Sequence, residues 1–258
     1  MAYPQPPGSA VPYTAVAATS SPSDLEGVGH LKIGSILGVV EQAMFWIGFA
    51  IFWLIFQALS SATPVYGAAA TVPSWVTVSA IEASIGLLIL GSVLGIVSYI
   101  FFYLGFRAVK RGAQDFGAPT TLVLIGLIGF AMIALGFIVI IGTLISAINN
   151  LNTGTLSSGS AAVDLSALLG GVASIGLGSI LALIGVIGMV LGNWRAGKRY
   201  GESTLKIGSI LTIVPFVSIV GYILLLLGYV KAGSKLQSGW VPTSGMMMPG
   251  QPVAYGYP

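Results

Sequence analysis

Apolar residues in this chain do not alternate with polar ones. They gather into five long runs, at about 36–58, 80–106, 122–148, 168–191 and 207–229, each almost free of charge. Every run exceeds the ~20 residues that an α-helix needs to cross a bilayer core. Strands of a membrane barrel would be about 10 residues long, with polar residues alternating inward. These runs are longer and apolar all round, so the pattern predicts helices. Outside them, 1–23 and 237–258 are rich in Pro, Gly, Ser and Tyr and show no periodicity, which predicts disordered tails. The expected fold is all-α: a polytopic helical integral membrane protein, with five long apolar helices in a membrane domain at 24–236.

Composition sharpens this. Of 258 residues, 55% are hydrophobic and 7% charged, whereas soluble domains carry about 25% charged residues. So few charges cannot coat a surface that faces water. The chain has no cysteine, which excludes disulfides, thiolate metal sites and thiol catalysis. The opening MAYPQPPGSAVPYTAVAATSSPSDLEG has no basic stretch followed by an apolar one, so no secretory signal peptide is expected. The first helix then serves as its own insertion signal.

The placement of charge predicts topology. All ten Lys and Arg fall in four places: Lys32, then Arg107, Lys110 and Arg111, then Arg195, Lys198, Arg199 and Lys206, and last Lys231 and Lys235. The segments SATPVYGAAATVPSWVTVSA and NNLNTGTLSSGSAAVD contain none. Cytoplasmic loops concentrate Lys and Arg, so the N-terminus is expected in the cytoplasm and the chain in the cell membrane. Five crossings would leave Lys231 and Lys235 outside, against that rule. Pro215 and Gly221 interrupt the fifth run, and both are helix breakers. As one helix, 205–230 would be about 39 Å long, enough to cross once. The expectation is a single span kinked at Pro215, with a re-entrant hairpin as the alternative.

The sequence also repeats. LKIGSIL occurs at 31–37 and again at 205–211. Ile33-Gly34-Ser35-Ile36, Ile125-Gly126-Leu127-Ile128 and Ile207-Gly208-Ser209-Ile210 form three matching entrances. LGFRAVKRG from Leu104, LGNWRAGKRYG from Leu191 and LGYVKAGSK from Leu227 form three matching exits. An entrance followed by an exit defines a unit, which predicts a duplicated helical hairpin at 31–112 and 122–201 and a truncated copy at 205–235. Composition bias explains the short Ile-Gly matches, but not seven identities in a row.

GVGHLKIGSILGVV ahead of the first run, LKIGSILTIVPFVSIVGYILLLLG near the end and the Pro/Gly/Tyr-rich tails resemble an archaeal family of multi-pass membrane proteins of uncharacterised role, domain of unknown function 973. The resemblance covers about 26–235. It implies an archaeal cell membrane and a helical fold, and it carries no activity with it.

Few residues offer chemistry. Glu41 and Gln42 lie within the first run, where an ionisable group is a functional candidate by default. Counted from Ile36, Glu41 is only about 7 Å into the helix, so a shallow carboxylate reaching headgroups or a helix-packing contact competes with an ion path or proton relay. Gln42 is expected to bond to a neighbouring helix. Glu82 and Ser84 are expected to open the second helix, where the dipole suits an acid, and Asp164 to cap the fourth. Glu41 and Glu82 belong to opposite membrane faces, so they do not form a carboxylate pair. His30 is the single histidine and makes no metal site alone. Arg107, Lys110, Arg111, Arg195, Lys198 and Arg199 set topology and are candidate contacts for anionic lipid headgroups. The glycines, 36 in all, include pairs at 34/38, 91/95 and 188/192 with the spacing that lets helix backbones approach. GSVLG at 91–95 is no phosphate loop, lacking the Lys and Ser/Thr that such a loop needs. The tail tyrosines and Trp240 lie among prolines without a proline-ligand signature.

No nucleophile, base or metal cluster assembles, so no enzyme and no cofactor is expected. Nucleic acid is excluded as a partner, since no broad basic surface with aromatic platforms exists. The expected function is a non-catalytic helix bundle that organises membrane or assembles with other membrane proteins or itself. The alternative is a transporter or channel for a small solute or ion.

Overall fold

The computed structural model describes residues 21–61, 75–152 and 165–242. Most of the two tails and of the two uncharged loops, together with Asp164, lie outside the described residues. The elements are α1 (Pro22–Ser61), α2 (Val78–Lys110), α3 (Gly117–Asn152), α4 (Leu165–Arg199), α5 (Ser203–Leu211) and α6 (Ser218–Gln237), with 3-10 turns at Gln114–Phe116 and Pro215–Val217. No strand occurs among the described residues. Five helical segments are long and apolar enough to cross a bilayer.

The helices outrun the apolar segments, because the polar residues at their basic ends are helical too. The 40 residues of α1 make a rod of about 60 Å at 1.5 Å per residue. Thr77 caps α2, its Oγ1 accepting from the Ala80 N–H at 3.1 Å. The cap is thus a hydroxyl, not the expected Glu82, which lies past the first turn, while buried Ser84 turns its Oγ back to the Ile81 carbonyl. Gly201 ends α4 with φ at 65°, and the Glu202 N–H closes onto the Gly197 carbonyl at 2.9 Å. This is a left-handed stop that a Cβ would strain.

Packing is built from antiparallel pairs. The helices α1 and α2 form one hairpin, and α3 and α4 form a second. In lipid, apolar side chains gain little by leaving the solvent, so helices associate where small residues let backbones touch. A methyl group on Gly126 would come within 2.4 Å of the Gly185 Cα, and one on Gly129 within 2.6 Å of the Gly178 carbonyl oxygen. Of the spaced glycines, Gly34 faces α2, Gly91 and Gly95 face α1, and Gly188 faces α3. Gly38 receives the Tyr222 ring and Gly192 the Phe106 ring. All of these close approaches are within the chain.

The fifth apolar run does not form the expected kinked span. Helix α5 stops at Leu211, the Val214 backbone is extended ahead of Pro215, and α6 begins at Ser218. A residue before proline avoids the helical region, and proline has no N–H to continue the ladder. The chain then doubles back. Gly208 lies against Gly221 and Leu225, and Gly228 against Leu205. The far end of α6 returns to the start of α5, where Lys235 Nζ is 2.6 Å from Glu202 Oε1. Within this turn the N–H groups of Ile213 and Val214 bond to Ile210 and Leu211, so the reversal leaves neither N–H orphaned.

One register runs through all three pairs. Gly34 lies against Ser98, Gly126 against Gly185, and Gly208 against Gly221. Ser98, Gly185 and Gly221 each precede a leucine-glycine exit (Gly105, Gly192, Gly228) by about two helical turns.

The buried side chains collect at the basic end. Leu31, Phe102, Phe106, Phe116, Tyr200 and Tyr229 belong to one continuous core. Toward the other end the hairpins bare their apolar flanks, with Leu54, Ile89, Ile138 and Leu183 well exposed, as lipid permits and water does not. Because α6 returns to the end where α5 started, residues 114 and 237 share a side. In this cysteine-free chain, Gln114→Cys and Gln237→Cys should be labelled by an impermeant maleimide from the same face of sealed vesicles, and Trp75→Cys from the other. Labelling of 114 and 237 from opposite faces would overturn the hairpin.

Candidate functional site

Two polar constellations stand out, one at the basic end and one deeper. At the basic end, Asp24 in the first turn of α1 is 1% exposed. Arg199 at the end of α4 grips it with two bonds, Nε to Oδ1 at 3.0 Å and Nη2 to Oδ2 at 2.9 Å. The Tyr200 hydroxyl donates to Oδ1 at 3.0 Å. Burial, and then the neighbouring Asp24 charge, push the Tyr200 phenol well above its ordinary value, so it stays a proton donor. A paired, planar fork of this kind is the arrangement in which a buried carboxylate is tolerated. It ties the start of the first hairpin to the end of the second. Lys235 adds α6 to the knot through Glu202 and the Tyr200 carbonyl.

The deeper constellation is a cleft of about 390 Å³ between the two hairpins. Its sides come from α1 and α2, with Glu41, Phe45, Ser92 and Tyr99, and from α3 and α4, with Phe130, Phe137 and Met189. Thr212 and Tyr222 of the α5–α6 hairpin also line it. The cleft exists because α2 and α3 touch only sparingly, while Tyr99 and Phe130 meet edge-to-face at 4.8 Å.

Glu41 belongs to this cleft. It lies against Gly95, whose missing side chain leaves room for it. Gln42 holds both carboxylate oxygens through Nε2 at 3.0 Å, and its own Oε1 accepts from Ser218 Oγ at 2.5 Å. The cross-helix bond expected of Gln42 is therefore made, to the first residue of α6. Beside it Phe216, 78% exposed at the hairpin tip, stacks on Trp46 at 4.6 Å. Glu82 stands exposed near the start of α2 and makes no pair with Glu41.

The six bases divide. Arg199 is taken by Asp24, Arg111 by an exposed contact to Glu26 at 3.0 Å, and Arg195 donates to the Asp115 carbonyl. Arg107, Lys110 and Lys198 are exposed, with no salt bridge among the described residues. His30 tilts over the Phe101 ring at 6.0 Å, and no group of three metal-ligating side chains occurs among the described residues. Sequence reasoning missed Asp24, Tyr99 and Tyr222. Asp24 drew no attention at the start of the expected membrane domain; an acid seven residues ahead of LKIGSIL was the available signal. The two tyrosines look like ordinary apolar-run aromatics until the helices pack.

The chain belongs to a family described as "Protein of unknown function (DUF973)", which it matches over residues 24–256. No curated protein and no solved structure matches it.

Removing one partner of a buried ion pair strands the other. Asp24→Ala should lower stability by about 3–5 kcal/mol, read as a reduced unfolding midpoint in detergent, while Glu26→Ala, at an exposed pair, should cost under about 1 kcal/mol.

Proposed function

We propose that this member of the family is a non-catalytic helix bundle of the cell membrane that organises lipid or assembles with partner chains. In this reading α1 to α4 cross the bilayer, the N-terminus is cytoplasmic, and α5–α6 dips in from the cytoplasmic side and returns. What carries it is the division of the surface: apolar flanks on both hairpins, and bases gathered at one end. The hairpin tip supports the dip. It is made of Ile213, Val214, Phe216 and Val217, all exposed, and it sits beside Gln42 and Trp46, about halfway along α1. An apolar tip at that depth suits lipid. The common register of the three helix pairs supports a duplicated hairpin with a shortened third copy.

Of the six bases at the two exits, Arg107, Lys110 and Lys198 are left to meet anionic headgroups, each contributing about 1 kcal/mol near a charged surface. The triple variant Arg107→Ala/Lys110→Ala/Lys198→Ala should lose most of the anionic lipid that wild type retains in native mass spectrometry. Arg111→Ala, already paired, should keep it. Equal retention by the triple variant overturns the lipid role.

A second reading, transport of a small solute or ion, is favoured by one observation: a broken helix pair reaches a carboxylate-bearing cleft at mid-depth, as discontinuous helices do in transporters. Under it, purified protein in liposomes moves a solute or ion, and Glu41→Ala abolishes that flux. Flux indifferent to Glu41, or none at all, removes this reading.

A further inference from the structure

We propose that the cleft between the hairpins binds a lipophilic organic cation, with Glu41 as its counter-charge. The inference goes beyond the bundle reading and does not require transport. Three observations meet at this place.

The first is charge. Among the described residues the Glu41 carboxylate is held by two bonds from the Gln42 amide, which is neutral. No Lys, Arg or His lines the cleft. The nearest base along α1 is Lys32, nine residues back in the sequence and about 14 Å along the axis. The bases cluster at the far end of the bundle, already engaged or facing outward. An ionised carboxylate in an apolar cleft is costly without a partner, and no cation among the described residues lines this one.

The second is the wall. Phe45, Tyr99, Phe130, Phe137 and Tyr222 line the same cleft as the carboxylate. The face of an aromatic ring attracts a cation, and more strongly when water is excluded. Five rings and one carboxylate form a poor site for an anion or a sugar and a good one for a positive charge carried on an apolar body. The Tyr99 hydroxyl adds a polar group that is buried, 5% exposed as a residue, and has no partner among the described residues.

The third is size and access. About 390 Å³ is within the range of small-molecule sites and too large for a bare metal ion. Ser92, Ala134 and Phe137 on its rim are exposed, so the cleft opens sideways between α2 and α3. A ligand that partitions into the bilayer reaches it without crossing water. A lipid tail could fill the volume but would leave the carboxylate unmatched.

The probe is tetraphenylphosphonium, with tetraphenylborate as its anionic counterpart of the same shape. Full-length protein in phosphatidylcholine nanodiscs should bind tetraphenylphosphonium saturably, at one site per chain. Glu41→Gln should weaken binding about tenfold or more, and Ala134→Trp, which fills the rim, should weaken it too. Tetraphenylborate should not compete. Should Glu41→Gln fail to fold, the rim variant and the anion competition on wild type decide the matter. Non-saturable uptake, unchanged affinity in Glu41→Gln, or equal displacement by tetraphenylborate would overturn the proposal, the last pointing to a site for lipid tails. Binding without flux leaves this inference standing and sinks the transport reading. Absence of binding leaves the bundle reading untouched.

Discussion

Asp24 loses nearly all of its water on folding, and that loss is tolerable only because Arg199 and Tyr200 meet the carboxylate from the other hairpin. Lipid offers helices little reason to associate: Leu against Leu is no better than Leu against an acyl chain. Within each hairpin, glycine contacts such as Gly126 on Gly185 supply the association by bringing backbones together. Between hairpins few such contacts exist. The polar clasp at the basic end therefore decides how the two halves sit, and the aromatic core around Phe102, Phe106 and Phe116 packs directly beneath it.

A bundle tied at one end can open at the other. The α5–α6 hairpin enters the space between the halves and stops halfway, where Ser218 reaches Gln42. The cleft forms at this level, lined on one side by Thr212 and Tyr222 of the α5–α6 hairpin. Glu41 stands at this transition, because the gap beside Gly95 is the one that admits its side chain. The clasp, the inserted hairpin and the cleft are thus successive consequences of one arrangement: strong polar attachment at the basic end and weak apolar contact elsewhere.

Much of this was legible in the chain. Helical spans follow from run length, the hairpin pairing from uncharged loops between basic exits, and the cross-helix role of Gln42 from the cost of an unpaired amide in lipid. Gly34, Gly126 and Gly208, one in each of the three matched entrances, occupy equivalent places in their helix pairs. The reversal at Pro215 was only half legible. Length alone allowed one crossing, while the bases at Lys231 and Lys235 argued for a return, and Lys235 beside Glu202 shows the return is what forms.

The sequence by itself determined that this is a lipid-embedded helical protein with one basic end, because run length and charge placement are properties of single segments in a solvent. Only the tertiary structure decided that Asp24 is a buried anchor, that Arg199 is its partner, and that five rings from four helices line one cleft with Glu41. Those facts depend on which faces meet. In lipid the facing is set by small residues and a few polar bonds between segments distant in the chain, and no local pattern records the partner.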